Sequence, residues 1–198
     1  MNKETRKQIN MGIPDVLADP NDVTHECQAL FDQLMGRAEE LFGPRTAILP
    51  VRIRKSNEFI PYTWFEGGAA YIRLGAGVGL GANLNADALR QLKHQLALET
   101  VHVLSVFEGA PMIALEKGAA AYFSVDVGGY TPHESGAPAP YADAYDAVKE
   151  LLEQYDLSAI RALRNPLRSI NRITAAAIRQ TYPNCPEHLI QRLTREWQ

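Results

Sequence analysis

The chain has 198 residues, 46% of them apolar and 22% charged, with a formal net charge of −3. That composition suits one globular domain and gives no overall pull toward nucleic acid or an anionic membrane. No apolar run approaches the roughly 18 residues a membrane-crossing helix needs, and Cys27 and Cys185 lie in contexts too unlike for a disulfide framework.

Residues 1–21 read as a polar N-terminal tail. Met1 to Asn10 has no apolar stretch behind it, so a secretory signal is not expected. A cytoplasmic protein is the expectation, with signal-independent export left open. Residues 22–42 predict an amphipathic helix. Val23, Cys27, Leu30, Phe31, Leu34, Ala38, Leu41 and Phe42 share its stripe, Asp22 can cap it and Gly43-Pro44 ends it. Cys27, on the apolar face, reads as a small buried hydrophobe.

Residues 46–74 change character. Short β-branched or aromatic runs at 47–49, 51–53, 59–65 and 70–74 are separated by Lys55-Ser56-Asn57-Glu58 and Glu66-Gly67-Gly68. They predict a small, mainly antiparallel sheet, with Pro50 and Pro61 at edges or bulges. From Gly77 the run at 75–82 fits G-x-G-x-x-A between a strand and a helix. A nucleotide-binding module using this loop is therefore one reading. Its acidic partner would have to be Glu99, which falls inside a helix and out of reach of a ribose, so a connector or flap is the competing reading.

Residues 86–107 predict a helix capped by Asn85 and uninterrupted by proline or glycine. Within it, 98–102 read Leu-Glu-Thr-Val-His, one residue short of His-Glu-x-x-His. In the intact motif two histidines one turn apart grip a zinc ion and the glutamate polarises its water. Here Leu98 stands where the first ligand belongs, Glu99 at the base and His102 at the second ligand. His94 cannot substitute, since eight residues of helix separate it from His102 by about 12 Å.

Residues 115–124 read Leu-Glu-Lys-Gly-Ala-Ala-Ala-Tyr-Phe-Ser. With the preceding helix, this segment resembles the Glu-Gly-x-Ala-x-Tyr-Phe helix of the gluzincin-type zinc metallopeptidases, over roughly residues 46–125. In that family the glutamate before the glycine is the third zinc ligand. Matching Gly118, Ala120, Tyr122 and Phe123 puts Lys117 at the ligand position. Glu116 falls one residue early, a rotation of about 100° on a helix. The resemblance implies an α+β, zincin-like fold, with a small sheet packed on an active-site-type helix. It also implies a degenerate site: Glu99 a vestigial general base, and Leu98, His102, Lys117 and Tyr122 in the cleft. No cofactor is then expected, and the Lys117 ammonium would take the vacated metal position and pair with Glu99.

The remainder reads as helical: 141–155, 157–163, 167–180 and 187–197, with Pro186 suited to a helix start. The expected organisation is a single domain over 22–198, with sheet and motif helices in 22–125 and a helical C-terminal part in 126–198. Arg161, Arg164, Arg168, Arg172 and Arg179 fall in a stretch without acids. They read as a solvated or ion-paired surface, with contact to nucleic acid or an acidic partner as the alternative.

Two lost ligands outweigh two kept residues. The expected function is a non-catalytic, metallopeptidase-like protein with a cleft for a peptide or protein, and without nucleic-acid or membrane partners. The alternative is an active zinc hydrolase whose ion is held by His102, Glu116 and His133, a loop histidine beside Glu134.

Overall fold

The computed structural model describes residues 21–58, 60–76, 78–80, 84–105, 111–133 and 138–197. Residues 1–20 of the predicted tail at 1–21, Gly77, Gly81 and Ala82 of the glycine-rich loop, and Glu134 lie outside the described residues. Asn21 does not belong to a tail, because its carbonyl accepts the Lys55 amide at 2.8 Å.

Among the described residues the fold is α+β, with a three-stranded mixed sheet and seven α-helices. Helix α1 (Thr24–Phe42) precedes strands β1 (Val51–Lys55), β2 (Tyr62–Glu66) and β3 (Ala69–Leu74). Helices α2 (Ala86–Leu104) and α3 (Ala114–Gly128) follow, then α4 (Ala139–Tyr155), α5 (Ala159–Arg164), α6 (Ala175–Thr181) and α7 (Glu187–Thr194). No helix among the described residues is long and apolar enough to cross a membrane.

The sheet order is β1-β3-β2, with β1 parallel and β2 antiparallel to β3, so the sheet is mixed rather than mainly antiparallel. The reason lies in β3, where Ala70, Ile72 and Leu74 are fully buried on one face. β1 buries only Ile53 and β2 buries no residue fully, so the most apolar strand takes the centre. Gly67 and Gly68 close the β2–β3 hairpin with φ of 58° and 77°, the left-handed pair that a two-residue turn requires. Pro50 and Pro61 stand immediately before β1 and β2, where neither removes a ladder bond.

The boundaries follow local chemistry. Asp22 accepts the Thr24 amide at the start of α1, and Asn85 accepts the Ala88 amide at the start of α2. α2 stops at Leu104, short of the expected Phe107, because Ser105 leaves helical geometry. The helix expected over 167–180 is broken: a 3-10 turn at Ile170–Arg172 is followed by α6, which Thr174 caps. α7 ends at Thr194 rather than Trp197, since 195–197 bond back to 112–114 through Ala114 N to Arg195 O and Trp197 N to Met112 O. The core joins the stripe of α1, the inner face of the sheet and the α2–α3–α4 layer, with Cys27 fully inside it. Gly118 permits this layer, because a Cβ there would overlap the Ala144 carbonyl oxygen of α4.

Candidate functional site

α2 and α3 lie side by side under β2, and their facing residues enclose a cavity of about 180 Å³. Thr63 and Phe65 of β2, Glu99 and His102 of α2, and Glu116 and Lys117 of α3 line it. The last two come from the first turn of α3, which begins at Ala114. The short connection between the helices lets that turn face the last turn of α2.

His102 is 5% exposed and both its ring nitrogens are engaged. Nδ1 lies 2.5 Å from Glu116 Oε1, and Nε2 lies 3.3 Å from Lys117 Nζ. An ammonium can only donate, so Nε2 accepts and the proton sits on Nδ1, which donates to Glu116. Adjacent residues of α3 thus grip opposite edges of one imidazole. This corrects two expectations. Glu116 is not rotated away from the site, and Lys117 meets the His102 ring instead of forming a close ion pair with Glu99.

Glu99 is 1% exposed. Its Oε2 accepts the Thr63 hydroxyl at 2.8 Å, while Oε1 has no partner among the described residues. Burial pushes its carboxyl above the ordinary value; the neighbouring His102 ring, the Thr63 hydroxyl and the Lys117 charge only partly oppose this. The Glu116 charge adds to the rise. Glu116 Oε2 is likewise buried without a protein partner. Tyr141 of α4 lies nearby: its phenol is raised by burial and by the Glu99 and Glu116 charges, and its ring centroid is 6.0 Å from Lys117 Nζ.

The other expected site residues lie elsewhere. Leu98 turns its apolar side chain to the core instead of lining the cavity. Tyr122 stacks on Tyr145, with ring centroids 6.4 Å apart, at a separate surface hollow. Five residues beyond Lys117, it points about 140° away around α3. His133 is exposed and pairs with Asp146 at 3.2 Å, so the set His102, Glu116 and His133 is not assembled. His94 packs edge-on against Tyr130, and burial lowers its imidazole. Among the described residues no group of three or more His, Cys, Asp or Glu side chains is arranged to hold a metal.

The donor set does not fit a zinc ion. Leu98 offers no donor, Glu116 is bonded to His102, and the one open lone pair of His102 faces an ammonium. Nor does His102 have a nitrogen free to act as a general base. Ser105 lines the cavity, but its Oγ accepts the Arg164 Nε–H at 3.2 Å and approaches the Ile170 amide at 3.4 Å. Thr63, Ser105 and Asn171 were not singled out by the sequence.

No family model, curated protein or solved structure matches the chain.

Proposed function

We propose that the chain is a zincin-like pseudopeptidase: a non-catalytic protein that holds an extended peptide segment along β2, with one donor-bearing side chain entering the α2–α3 cavity. The observation that carries this reading is Lys117 Nζ, 3.3 Å from His102 Nε2. By the gluzincin resemblance His102 stands at the second zinc ligand, so an ammonium on its open ring nitrogen stands in for the cation. Without an ion to acidify a water, Glu99 has no nucleophile to activate.

Two features support peptide binding. The outer edge of β1 is occupied, since Asn21 and Val23 bond to Lys55 and Ile53. No strand among the described residues pairs with the outer edge of β2. A two-residue hairpin closes on a bonded pair, Glu66 and Ala69, which leaves the backbone groups of Thr63 and Phe65 facing outward. The Ala70 amide agrees, because it points to Pro50 O on the β1 side. An extended segment can add there by strand pairing. Beside it, Glu99 Oε1 and Glu116 Oε2 await donors, and a lysine, arginine or hydroxyl side chain supplies them.

The test is selection of a random peptide library against the protein in the presence of chelator. Enriched peptides should carry a basic or hydroxyl residue, bind without zinc, stay uncleaved, and bind at least about tenfold more weakly to Glu99→Gln. Cleavage of a bound peptide, or selection that depends on added zinc, would overturn the reading.

A further inference from the structure

Part of the arginine-rich stretch shares one focus, while Arg179 forms the expected exposed ion pair, with Glu187 at 2.7 Å. Arg161, Arg164 and Arg168 converge with Arg45 on a cavity of about 560 Å³, lined otherwise by Pro44, Thr46 and Asn165. Four arginines line it and, among the described residues, no acidic one does. Glu39, which lies beside it, is taken by Arg45: the Arg45 backbone amide and Nε–H donate to its Oε1 at 3.0 and 2.9 Å. Burial acts to raise the Glu39 carboxyl, yet these bonds and the charges of Arg45 and Arg164 hold it below the ordinary value, a sign of the local positive field.

Arg164 is 1% exposed. It donates to Ser105 Oγ at 3.2 Å, to Phe42 O at 3.2 Å, to Pro44 O at 2.7 Å and to Leu104 O at 2.8 Å. All four acceptors are neutral, so its charge is buried among dipoles without a contacting carboxylate. Helix capping accounts for part of this, because Phe42 O and the Glu40 O bonded by Arg161 are terminal carbonyls of α1. Capping does not account for Arg168. Its side chain is exposed and has no partner among the described residues, and its φ is +61°. Glycine or asparagine would occupy that left-handed position with less strain. The turn folds Arg168 N onto Arg164 O and carries its side chain back past Pro166 to the cavity rim. On the other wall, Gly43 at φ +91° leaves room where a Cβ would crowd Asn165 Oδ1 and Arg164 Nη1.

We propose that this cavity binds a small phosphate ester or polyphosphate, with Arg161 and Arg168 as donors from the rim and Arg164 as a fixed positive floor. The planar guanidinium fork matches two phosphate oxygens at once. The volume falls within the ~300–1,000 Å³ of small-ligand sites, so it holds more than a bare ion. The site stands apart from the β2 cavity, on the other side of Ser105, and does not depend on peptide binding.

Isothermal titration of the full chain with inorganic phosphate, pyrophosphate and a short single-stranded oligonucleotide, all at a fixed ionic strength of about 0.15 M, tests the proposal. The expected result is saturable binding of pyrophosphate, weakened at least about tenfold in the Arg161→Gln/Arg168→Gln double variant, with an unchanged urea midpoint. Absence of saturable binding of either inorganic anion, equal affinity in the variant, or binding of the oligonucleotide alone would overturn it.

Discussion

The cavities on the two sides of Ser105 handle buried charge in opposite ways. Under β2, two carboxyl groups, an imidazole and an ammonium answer one another: Lys117 to His102, His102 to Glu116, Thr63 to Glu99. Around Arg164 the charges have one sign, and neutral carbonyls hold the buried one in place. The first cavity is small and holds charges of both signs, with Glu99 Oε1 and Glu116 Oε2 left without partners among the described residues. The second is larger and uncompensated, as expected where an anion must come from outside. Charge balance, rather than cavity size, distinguishes the two roles.

Removing the floor of the arginine cavity should have the largest effect. Arg164→Ala strips donors from the Phe42, Pro44 and Leu104 carbonyls and should destabilise the fold by about 3 kcal/mol or more in urea unfolding. A loss below about 1 kcal/mol would show that these carbonyls find other partners. In the cavity under β2, Lys117→Met should cost about 1–3 kcal/mol near neutral pH, and less in a Glu99→Gln background. That coupling is read from a double-mutant cycle. Additive costs would mean that Lys117 does not serve the Glu99 charge.

The smallest effect is a change of slope. The Glu99 carboxyl is raised in the folded state by burial, against an ordinary value of 4.5. Its contribution to stability is therefore complete below that value and is lost as pH rises toward the folded-state value. Glu99→Gln abolishes the titration. Its urea midpoint should gain on the unsubstituted protein between acidic and mildly alkaline pH, and parallel curves would contradict a raised Glu99.

Most of the helical framework was legible in the sequence, because periodic apolar residues and caps are local signals. Asn85 and Thr24–Phe42 are examples. The parallel pairing of β1 with β3 was not legible, since nothing local says which strand takes the centre. The helix ends at Ser105 and Thr194 were also missed. The break after Thr194 depends on 112–114, a segment distant in sequence. At the site, Glu99, His102 and Lys117 were found from motif spacing. Glu116 was set aside on helical angle alone, an argument that ignores the reach of a glutamate in a first turn. Leu98 and Tyr122 were misplaced because a motif position does not fix which way a side chain packs. The arginine cavity was invisible for a different reason: Pro166 breaks the helix, and only the turn at Arg168 restores the shared focus.

The central claim is that Lys117 occupies the position of a lost metal. The most direct test is the zinc content, by elemental mass spectrometry after zinc exposure and dialysis, of the unsubstituted chain and of Leu98→His/Lys117→Glu. The account predicts no retained zinc in the former and about one ion per chain in the latter, the tetrahedral set being completed by water. Stoichiometric zinc in the unsubstituted chain, or none in a folded double variant, would contradict it.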